Sequence, residues 1–437
     1  NLKYLQIGKS VKTIGNSAFS NCTNLINNLT IPNSVETIGS YAFYQCEKLF
    51  SVAFGKNLKT IGNHAFCNCY QITSSLSIPN LVTDIGEYAF CQCRKLTYLK
   101  LSTILKSIGD FAFYKCQNIE EISGFPNSIE TIGNSSFCEC SKMYGVLTIP
   151  TSIQYIGNKA FYNCEKLSGD LVFPNNFATI ENSTFYKCKQ LTSVRFNNNL
   201  QEIGQEAFYQ CFKLSGFLTI PNSVTFIGDN AFYNCDSLNN LTIGSKVTDI
   251  GEKAFYQCTA LYSLVLGNSI VNIGDSAFEE CRSIVSSLNL PETVENIGEK
   301  AFYNCEKLSS IRIGNKITEI KSNTFMNCNS VKSLTLGNKI ETIDSYAFAN
   351  LRGLASLTIP DSVNIINDHA FYDCESMTSL TLSKGLTEIG SSAFQECSMI
   401  RGSLTIPDSV EYIYSYAFAE CYSFSSLTLG SSLRYIF

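Results

Sequence analysis

Histidine is almost absent from this chain. Only His64 and His369 occur among 437 residues, and they lie far apart in the sequence. Since the two imidazoles cannot meet, no histidine-based triad or metal centre is available within one chain. The sequence also lacks a glycine-rich phosphate loop, a G-x-S-x-G elbow and an H-E-x-x-H helix. We therefore expect no enzymatic activity, no metal and no cofactor.

Charged residues and long apolar runs are scarce too. Only 16% of the residues are charged, and 32 basic and 37 acidic side chains are scattered along the chain without a basic stripe. Nucleic acid is therefore not expected as a partner. No apolar run approaches the roughly 18 residues that span a bilayer, and the first residues do not show the charged-then-apolar pattern of a leader. A hydrophobic content of 45% with so little charge predicts a fully ordered chain.

One stretch, typified by residues 38–49 (I-G-S-Y-A-F-Y-Q-C-E-K-L), recurs with substitutions along the whole chain. Its phenylalanine returns every 23 or 24 residues, and a cysteine follows three residues later in every copy except the one with Leu351. A short fixed period predicts a solenoid whose coils bury their apolar side against each other. We expect a single domain over residues 1–437, with both ends cut within a repeat. The 18 aligned phenylalanines are Phe19, Phe43, Phe66, Phe90, Phe113, Phe137, Phe161, Phe185, Phe208, Phe232, Phe255, Phe278, Phe302, Phe325, Phe348, Phe371, Phe394 and Phe418.

Each coil contains one short strand that the sequence makes clear. Val52 and Phe54 are two residues apart and point the same way from an extended segment, whereas Ala53 points the other way. Counting an entry strand at Leu5 and Ile7, we expect 19 such strands, stacked as a parallel sheet. A coil of 23 or 24 residues has no room for a long crossover helix, so turns, brief 3₁₀ segments or further extended pieces must complete it.

The coils differ in length and in whether they contain a particular glycine. In the eight 24-residue intervals, the extra residue usually falls just before the strand, and a proline ends the strand. A glycine four residues before the aligned phenylalanine is present in 13 of 18 copies. Other residues replace this glycine in five copies, so a positive φ is not expected there. These five residues are Glu181, Lys321, Asp344, Asn367 and Tyr414.

Twenty cysteines suggest a metal array, a disulfide framework or a buried ladder of small apolar side chains. Zinc needs four converging ligands, and parallel side chains on neighbouring coils do not point toward each other. We therefore expect mostly free, buried thiols. Cys67, Cys91 and Cys138 instead follow the phenylalanine directly, which is compatible with packing near the surface or with redox chemistry.

The outward residues of the predicted sheet are the best place to look for a binding site. From the eleventh strand on they are nearly uniform serine and threonine, as at Ser356 and Thr358, which is typical of a soluble β-surface. Ice-binding solenoids present two threonine ranks on a flat face, whereas one rank on a curved face is expected here. Strands five to ten carry aromatic and charged residues suited to protein binding. The candidate site residues are Tyr98, Lys100, Glu121, Tyr144, Asp170, Arg195 and Phe217.

A second rank of nine tyrosines directly follows the aligned phenylalanines. We expect these rings to stack along the edge and shield the core, with contact to sugars or partners as the alternative. They are Tyr44, Tyr114, Tyr162, Tyr186, Tyr209, Tyr233, Tyr256, Tyr303 and Tyr372.

The unit L-x-x-L-x-I-P-x-S-V-x-x-I-G-x-x-A-F-x-x-C, as in the segment from Leu218 to Cys235, resembles the BspA-like, or treponemal-type, leucine-rich repeat. The likeness covers essentially the whole chain, with Leu351, an irregular coil at Ile122 and the missing glycines as departures. It implies a curved solenoid of about 19 coils, with the parallel sheet on its concave face and turns, 3₁₀ or extended segments on the convex side. It supplies no catalytic residues.

The resemblance also implies display on the surface of anaerobic bacteria or parasitic protists. Members are implicated in adhesion to host proteins, cells and other microbes. We therefore expect a cell-surface or secreted protein that binds an extracellular matrix or cell-surface protein, or a glycan, without membrane insertion by this part of the chain. The alternatives are a structural spacer without a specific ligand and an intracellular repeat scaffold, which the free thiols would suit.

Overall fold

The chain is a parallel β-solenoid, with coils of 23 or 24 residues that each contribute short strands and turns. The computed structural model describes residues 2–73 and 75–437. The chain divides into two compact units, Asn1–Leu214 and Ser215–Phe437. Over the described ranges, no helix has the length and apolar character needed to cross a membrane. The expectation of a single domain stays a prediction.

Two strands occur in most coils of the first unit. One is the expected strand, and the other is a two-residue strand centred on the Thr-Ile pair that precedes the coil glycine. The strands are β1 (Thr13–Ile14), β2 (Asn28–Thr30), β3 (Thr37–Ile38), β4 (Ser51–Ala53), β5 (Thr60–Ile61), β6 (Leu76–Ser77), β7 (Asp84–Ile85), β8 (Tyr98–Lys100), β9 (Ser107–Ile108), β10 (Glu121–Ile122), β11 (Thr131–Ile132), β12 (Gly145–Val146), β13 (Tyr155–Ile156), β14 (Leu167–Val172), β15 (Thr179–Ile180), β16 (Gln190–Arg195) and β17 (Glu202–Ile203).

The second unit repeats the arrangement. Its strands are β18 (Gly216–Thr219), β19 (Phe226–Ile227), β20 (Leu238–Thr242), β21 (Asp249–Ile250), β22 (Ser263–Val265), β23 (Asn272–Ile273), β24 (Leu288–Asn289), β25 (Asn296–Ile297), β26 (Ser310–Arg312), β27 (Glu319–Ile320), β28 (Ser333–Thr335), β29 (Thr342–Ile343), β30 (Ser356–Thr358), β31 (Ile365–Ile366), β32 (Ser379–Thr381), β33 (Glu388–Ile389), β34 (Gly402–Thr405), β35 (Tyr412–Ile413), β36 (Phe424–Thr428) and β37 (Tyr435–Ile436).

The strands pair in parallel and join equivalent residues of consecutive coils, except at irregular positions such as Gly145, which is opposite Leu167. In the first unit the odd-numbered strands β1 to β13 form one seven-stranded ladder, and the even-numbered strands form the shorter ladders β2-β4, β6-β8-β10 and β12-β14-β16. The second unit has even-numbered ladders of two or three strands and an odd-numbered ladder from β27 to β37. The predicted strands are thus confirmed in 18 coils, but the expected entry strand at Leu5 and Ile7 is not formed. That segment meets the next coil only through isolated bonds, such as Ile26 N–H to the Lys3 carbonyl at 3.0 Å.

The turn that carries the aligned phenylalanine forms a further set of bonds between coils. The N–H groups of Tyr41, Phe43 and Gln45 donate to carbonyls of the following coil at 2.8 to 2.9 Å. Tyr41 and Gln45 have positive φ, and two non-glycine residues in each of 18 coils share this conformation, with φ between 51° and 66°. None of these 36 residues is β-branched, which agrees with the steric cost of the left-handed region.

The aligned phenylalanines form the centre of the core. In the first unit their ring centroids are 5.1 to 5.7 Å apart and the ring planes lie within 16° of parallel. In the second unit the spacing is 5.2 to 5.5 Å. Most ladder cysteines donate their thiol to the carbonyl of the phenylalanine one coil earlier, as Cys258 does to Phe232 at 3.4 Å. All 20 cysteines are free thiols in the structure.

Glycine has two separate uses here. Gly145, Gly169, Gly216 and Gly402 occupy the extra position of 24-residue coils with φ from 78° to 100°. The strand register shifts at the last three of these glycines, so the extra residue is accommodated as a bulge before the strand, as predicted. The coil glycine before the phenylalanine has no positive φ. At Gly251 an added Cβ would lie 2.6 Å from the backbone nitrogen of Asp229, so this glycine permits close approach of two coils.

Candidate binding surface

The outward side chains of the even-numbered strands form the surface that we call the strand face. They are the residues directly before and after the buried leucine, isoleucine or valine of each strand. In the second unit, consecutive strands bring identical side chains into register, as Ser356 with Ser379 and Thr358 with Thr381. From β28 to β36 the strand face is one rank of serine beside one rank of threonine. Asn240, Val265, Asn289 and Arg312 interrupt these ranks on the earlier strands of the unit.

Four of the predicted residues come together in the first unit. Tyr98 and Lys100 flank the buried Leu99, and Glu121 is the register partner of Tyr98 on the next strand. The Glu121 charge, and then burial, raise the pKa of Tyr144. The Tyr144 side chain is 49% exposed, so most of this ring is available for contact.

Asp170 and Arg195 form a second group further along the same unit. The Asp170 carboxylate accepts hydrogen bonds from the hydroxyls of Ser193 at 2.7 Å and Thr192 at 3.0 Å. These bonds, and then the nearby Arg195 charge, lower the pKa of Asp170. Arg195 is in register with Val172, whose side chain is 50% exposed. The group therefore offers both charge signs beside an exposed apolar side chain.

Phe217 belongs to the second unit. It lies on β18 in register with Asn240, and its side chain is 83% exposed. A phenylalanine this exposed on a strand gains nothing from burial within its own unit. It remains a candidate contact residue by itself.

One assignment from sequence needs correction. Tyr144 does not directly flank the buried strand leucine, Leu147, because the bulge glycine Gly145 shifts the frame by one residue. Val146 takes the flanking position instead and is 66% exposed. Sequence reasoning missed Val146 and Val172 because valine in a strand usually indicates an inward position. Their places directly beside the buried Leu147 and Leu171 are the signal that identifies them.

The predicted tyrosine rank stacks along the edge of the coils. Tyr162, Tyr186 and Tyr209 are spaced 4.3 and 4.6 Å apart between ring centroids, and Tyr233 and Tyr256 are 4.7 Å apart. These rings are half-buried. The stacking expected for them is confirmed for these members.

A second aromatic stack was not expected. Tyr41, His64, Tyr88 and Phe111 occupy the position two residues before the aligned phenylalanine in four consecutive coils, with centroids 4.5 to 4.6 Å apart. Burial lowers the pKa of His64. This histidine therefore acts as a flat neutral ring within a stack. The signal in the sequence is the run of four rings at one otherwise variable position.

The arrangement of coils, buried leucines and outward strands defines the leucine-rich repeat fold, which is often used for protein binding and is generally non-catalytic. Within this class, the chain belongs to the family described as the BspA type leucine rich repeat region. The family model matches residues 1–75, 73–169, 169–285, 249–378 and 341–437.

Solved structures similar to this chain include three bacterial proteins. A leucine-rich repeat protein from Bacteroides ovatus is 23% identical, over 97% of this chain and 92% of that chain, with a TM-score of 0.49. A leucine rich cell surface protein from Faecalibacterium prausnitzii is 23% identical over 85% and 83%, with a TM-score of 0.39. The pneumococcal vaccine antigen PcpA is 18% identical over 87% and 89%, with a TM-score of 0.37. No curated protein matches the sequence.

Proposed function

We propose that this chain is an adhesion protein, displayed on a cell surface or secreted, that binds a matrix or cell-surface protein, or a glycan. Membership of the BspA type family supports this placement. The binding region that we propose is the strand face of β8 to β16, with Phe217 as a separate contact residue in the second unit.

The composition of the strand face carries this proposal. In the first unit β2, β4 and β6 present only small or polar outward residues, such as Asn28, Ser51 and Ser77. The five even-numbered strands that follow present tyrosine, lysine, glutamate, valine, aspartate and arginine in an unbroken run. Tyrosine and arginine contribute most to binding energy at protein interfaces. The strand face of the second unit carries such residues singly, at Phe217, Val265 and Arg312, whereas β8 to β16 carry them on five consecutive even-numbered strands.

The proposal is tested by binding measurements on the whole chain. A screen against matrix proteins and glycans provides a ligand, and biolayer interferometry then compares Tyr98→Ala, Arg195→Ala and Phe217→Ala with the unmodified chain. The matched controls are Thr358→Ala and Thr381→Ala, which truncate equivalent outward positions in the uniform region. We expect Tyr98→Ala or Arg195→Ala to weaken binding about tenfold or more, or roughly 1.4 kcal/mol, with no change for the controls.

Three outcomes contradict the proposal. Equal weakening by the controls would place binding on the uniform hydroxyl surface. A ligand whose affinity none of the variants changes would leave the strand face as a structural surface only. A chain that binds nothing in the screen would favour the spacer, for which the uniform serine and threonine ranks of the second unit are well suited.

A further inference from the structure

Two cysteines outside the thiol ladder lie side by side in neighbouring coils. Cys67 and Cys91 each directly follow the aligned phenylalanine, and the N–H of Asn68 donates to the Cys91 carbonyl at 2.8 Å. The two residues therefore occupy equivalent positions on stacked backbone segments. Coils stacked at about 4.8 Å fall within the roughly 4.4 to 6.8 Å separation of Cα atoms that a disulfide spans.

These two thiols have different surroundings from the ladder thiols. Cys69 and Cys93 are fully buried and donate to the carbonyls of Phe43 and Phe66 at 3.3 and 3.4 Å. The side chains of Cys67 and Cys91 are each 4% exposed. The two thiols are close enough for each to shift the pKa of the other. Both thiols are thus slightly more open to a small reagent than the adjacent ladder thiols Cys69 and Cys93.

The two sulfur atoms are not equivalent. The neighbouring Cys67 thiol lowers the pKa of Cys91 against the opposing effect of burial, and the charges of Lys115 and Arg94 lower it further. The Cys91 thiol and burial raise the pKa of Cys67. The Arg94 guanidinium lies 5.1 Å from the centre of the Tyr70 ring, which holds this charge near the pair. Cys91 is therefore the thiol that reacts first, because the thiolate is the nucleophile.

We propose that Cys67 and Cys91 form a redox-sensitive dithiol that a peroxide converts into a disulfide between two coils. The Cys91 thiolate attacks one oxygen of hydrogen peroxide, the O–O bond breaks, and sulfenic acid and hydroxide form. The Cys67 sulfur then attacks the Cys91 sulfur and displaces the hydroxyl group. The two thiol protons end in the two water molecules produced, and two thiols are oxidised as one peroxide is reduced.

The chain contains a matched control for this reaction. Cys138 occupies the same position of its own coil and is 5% exposed, but tyrosines, Tyr114 and Tyr162, stand at that position in the two adjacent coils. It has no thiol beside it at this position. Burial raises its pKa to about 12. Cys138 therefore shows whether oxidation requires a neighbouring thiol or only exposure to the reagent.

The test uses the folded chain, reduced and then treated with hydrogen peroxide. Free thiols are counted after denaturation, and the linked peptides are identified by mass spectrometry. We expect the count to fall from the 20 of the sequence to 18, to return with dithiothreitol, and to map to Cys67 and Cys91. Cys138→Ser should lose two thiols in the same way, whereas Cys91→Ser should lose none.

A further variant identifies the attacking sulfur. In Cys67→Ser, the sulfenic acid on Cys91 has no resolving thiol, so dimedone should label Cys91. An unchanged thiol count in the unmodified chain, a disulfide between other cysteines, or equal oxidation of Cys138 would overturn the proposal. The peptide map of the unmodified chain decides the question even where a variant fails to fold. The result is independent of whether the strand face binds a ligand.

Discussion

The thiol ladder makes the stability of this protein depend on pH in the alkaline range. Burial raises the pKa of Cys258 to about 12, and burial likewise raises the pKa of Cys46 and Cys421 to about 12. A thiol in the unfolded chain titrates near about 8.5. Because the folded pKa is the higher one, the stabilisation is fully present below about pH 8.5 and is lost as pH rises toward 12.

The size of the effect follows from one fully buried thiol. At pH 10 the unfolded Cys258 is 1.5 pH units above its pKa, while the folded thiol keeps its proton. At about 1.36 kcal/mol per unit, folding loses roughly 2 kcal/mol through this residue. A domain is stable by only about 5 to 15 kcal/mol, and most ladder positions carry a buried thiol. We therefore expect unfolding well below pH 12.

Urea unfolding followed by circular dichroism under reducing conditions measures this dependence. The free energy of unfolding is determined at pH 7.5, 8.5 and 9.5 for the unmodified chain and for Cys258→Ala. The variant lacks one titrating thiol, so its stability should fall less steeply above about pH 9, by roughly 1.4 kcal/mol per pH unit. Parallel curves for the two proteins, or constant stability up to pH 10, would refute the reasoning.

Two further predictions concern the core and the turn. Phe278→Ala removes a fully buried ring stacked on both sides. In urea unfolding it should cost about 3 to 5 kcal/mol, whereas Tyr262→Ala, 57% exposed, should stay within about 0.5 kcal/mol; similar losses for both would contradict the ring stack. Gln257 has a φ of 55°, so Gln257→Val should be about 1 to 2 kcal/mol less stable than Gln257→Asn. Equal melting curves for that pair would argue against the left-handed turn.

The inward half of each coil is predictable from the sequence. A phenylalanine, a cysteine and a leucine that return at one period must share one environment, because stacked coils place equivalent residues on top of each other. The spine of rings and the 18 strands of the sheet follow from this argument alone. The tyrosine rank is predictable for the same reason, since it has a fixed offset from Phe161 and its equivalents.

The turn that carries the aligned phenylalanine is harder to predict, because its left-handed residues show only a weak preference in amino-acid type. The left-handed residues include Tyr41, Lys159 and Glu206 rather than glycine, so the usual signal for positive φ is missing. What the sequence does show is an absence of β-branched residues at these positions. The ladder of odd-numbered strands is also hard to predict, because a two-residue Thr-Ile strand is too short to show alternation of apolar and polar residues. Its pairing is recognisable only once the coils are stacked.

The bulges explain why the strand face was predicted almost correctly but not completely. A two-residue alternation assigns every second side chain to one face, and one inserted residue reverses that assignment. Gly145 and Gly169 absorb the insertion by adopting positive φ, so the buried leucines keep their places and the residues before them change sides. Val146 is thereby turned outward beside Tyr144, next to the Tyr98 and Glu121 pair. The irregular coils thus contribute exposed apolar area at Val146 and Val172 to the strands that carry charge.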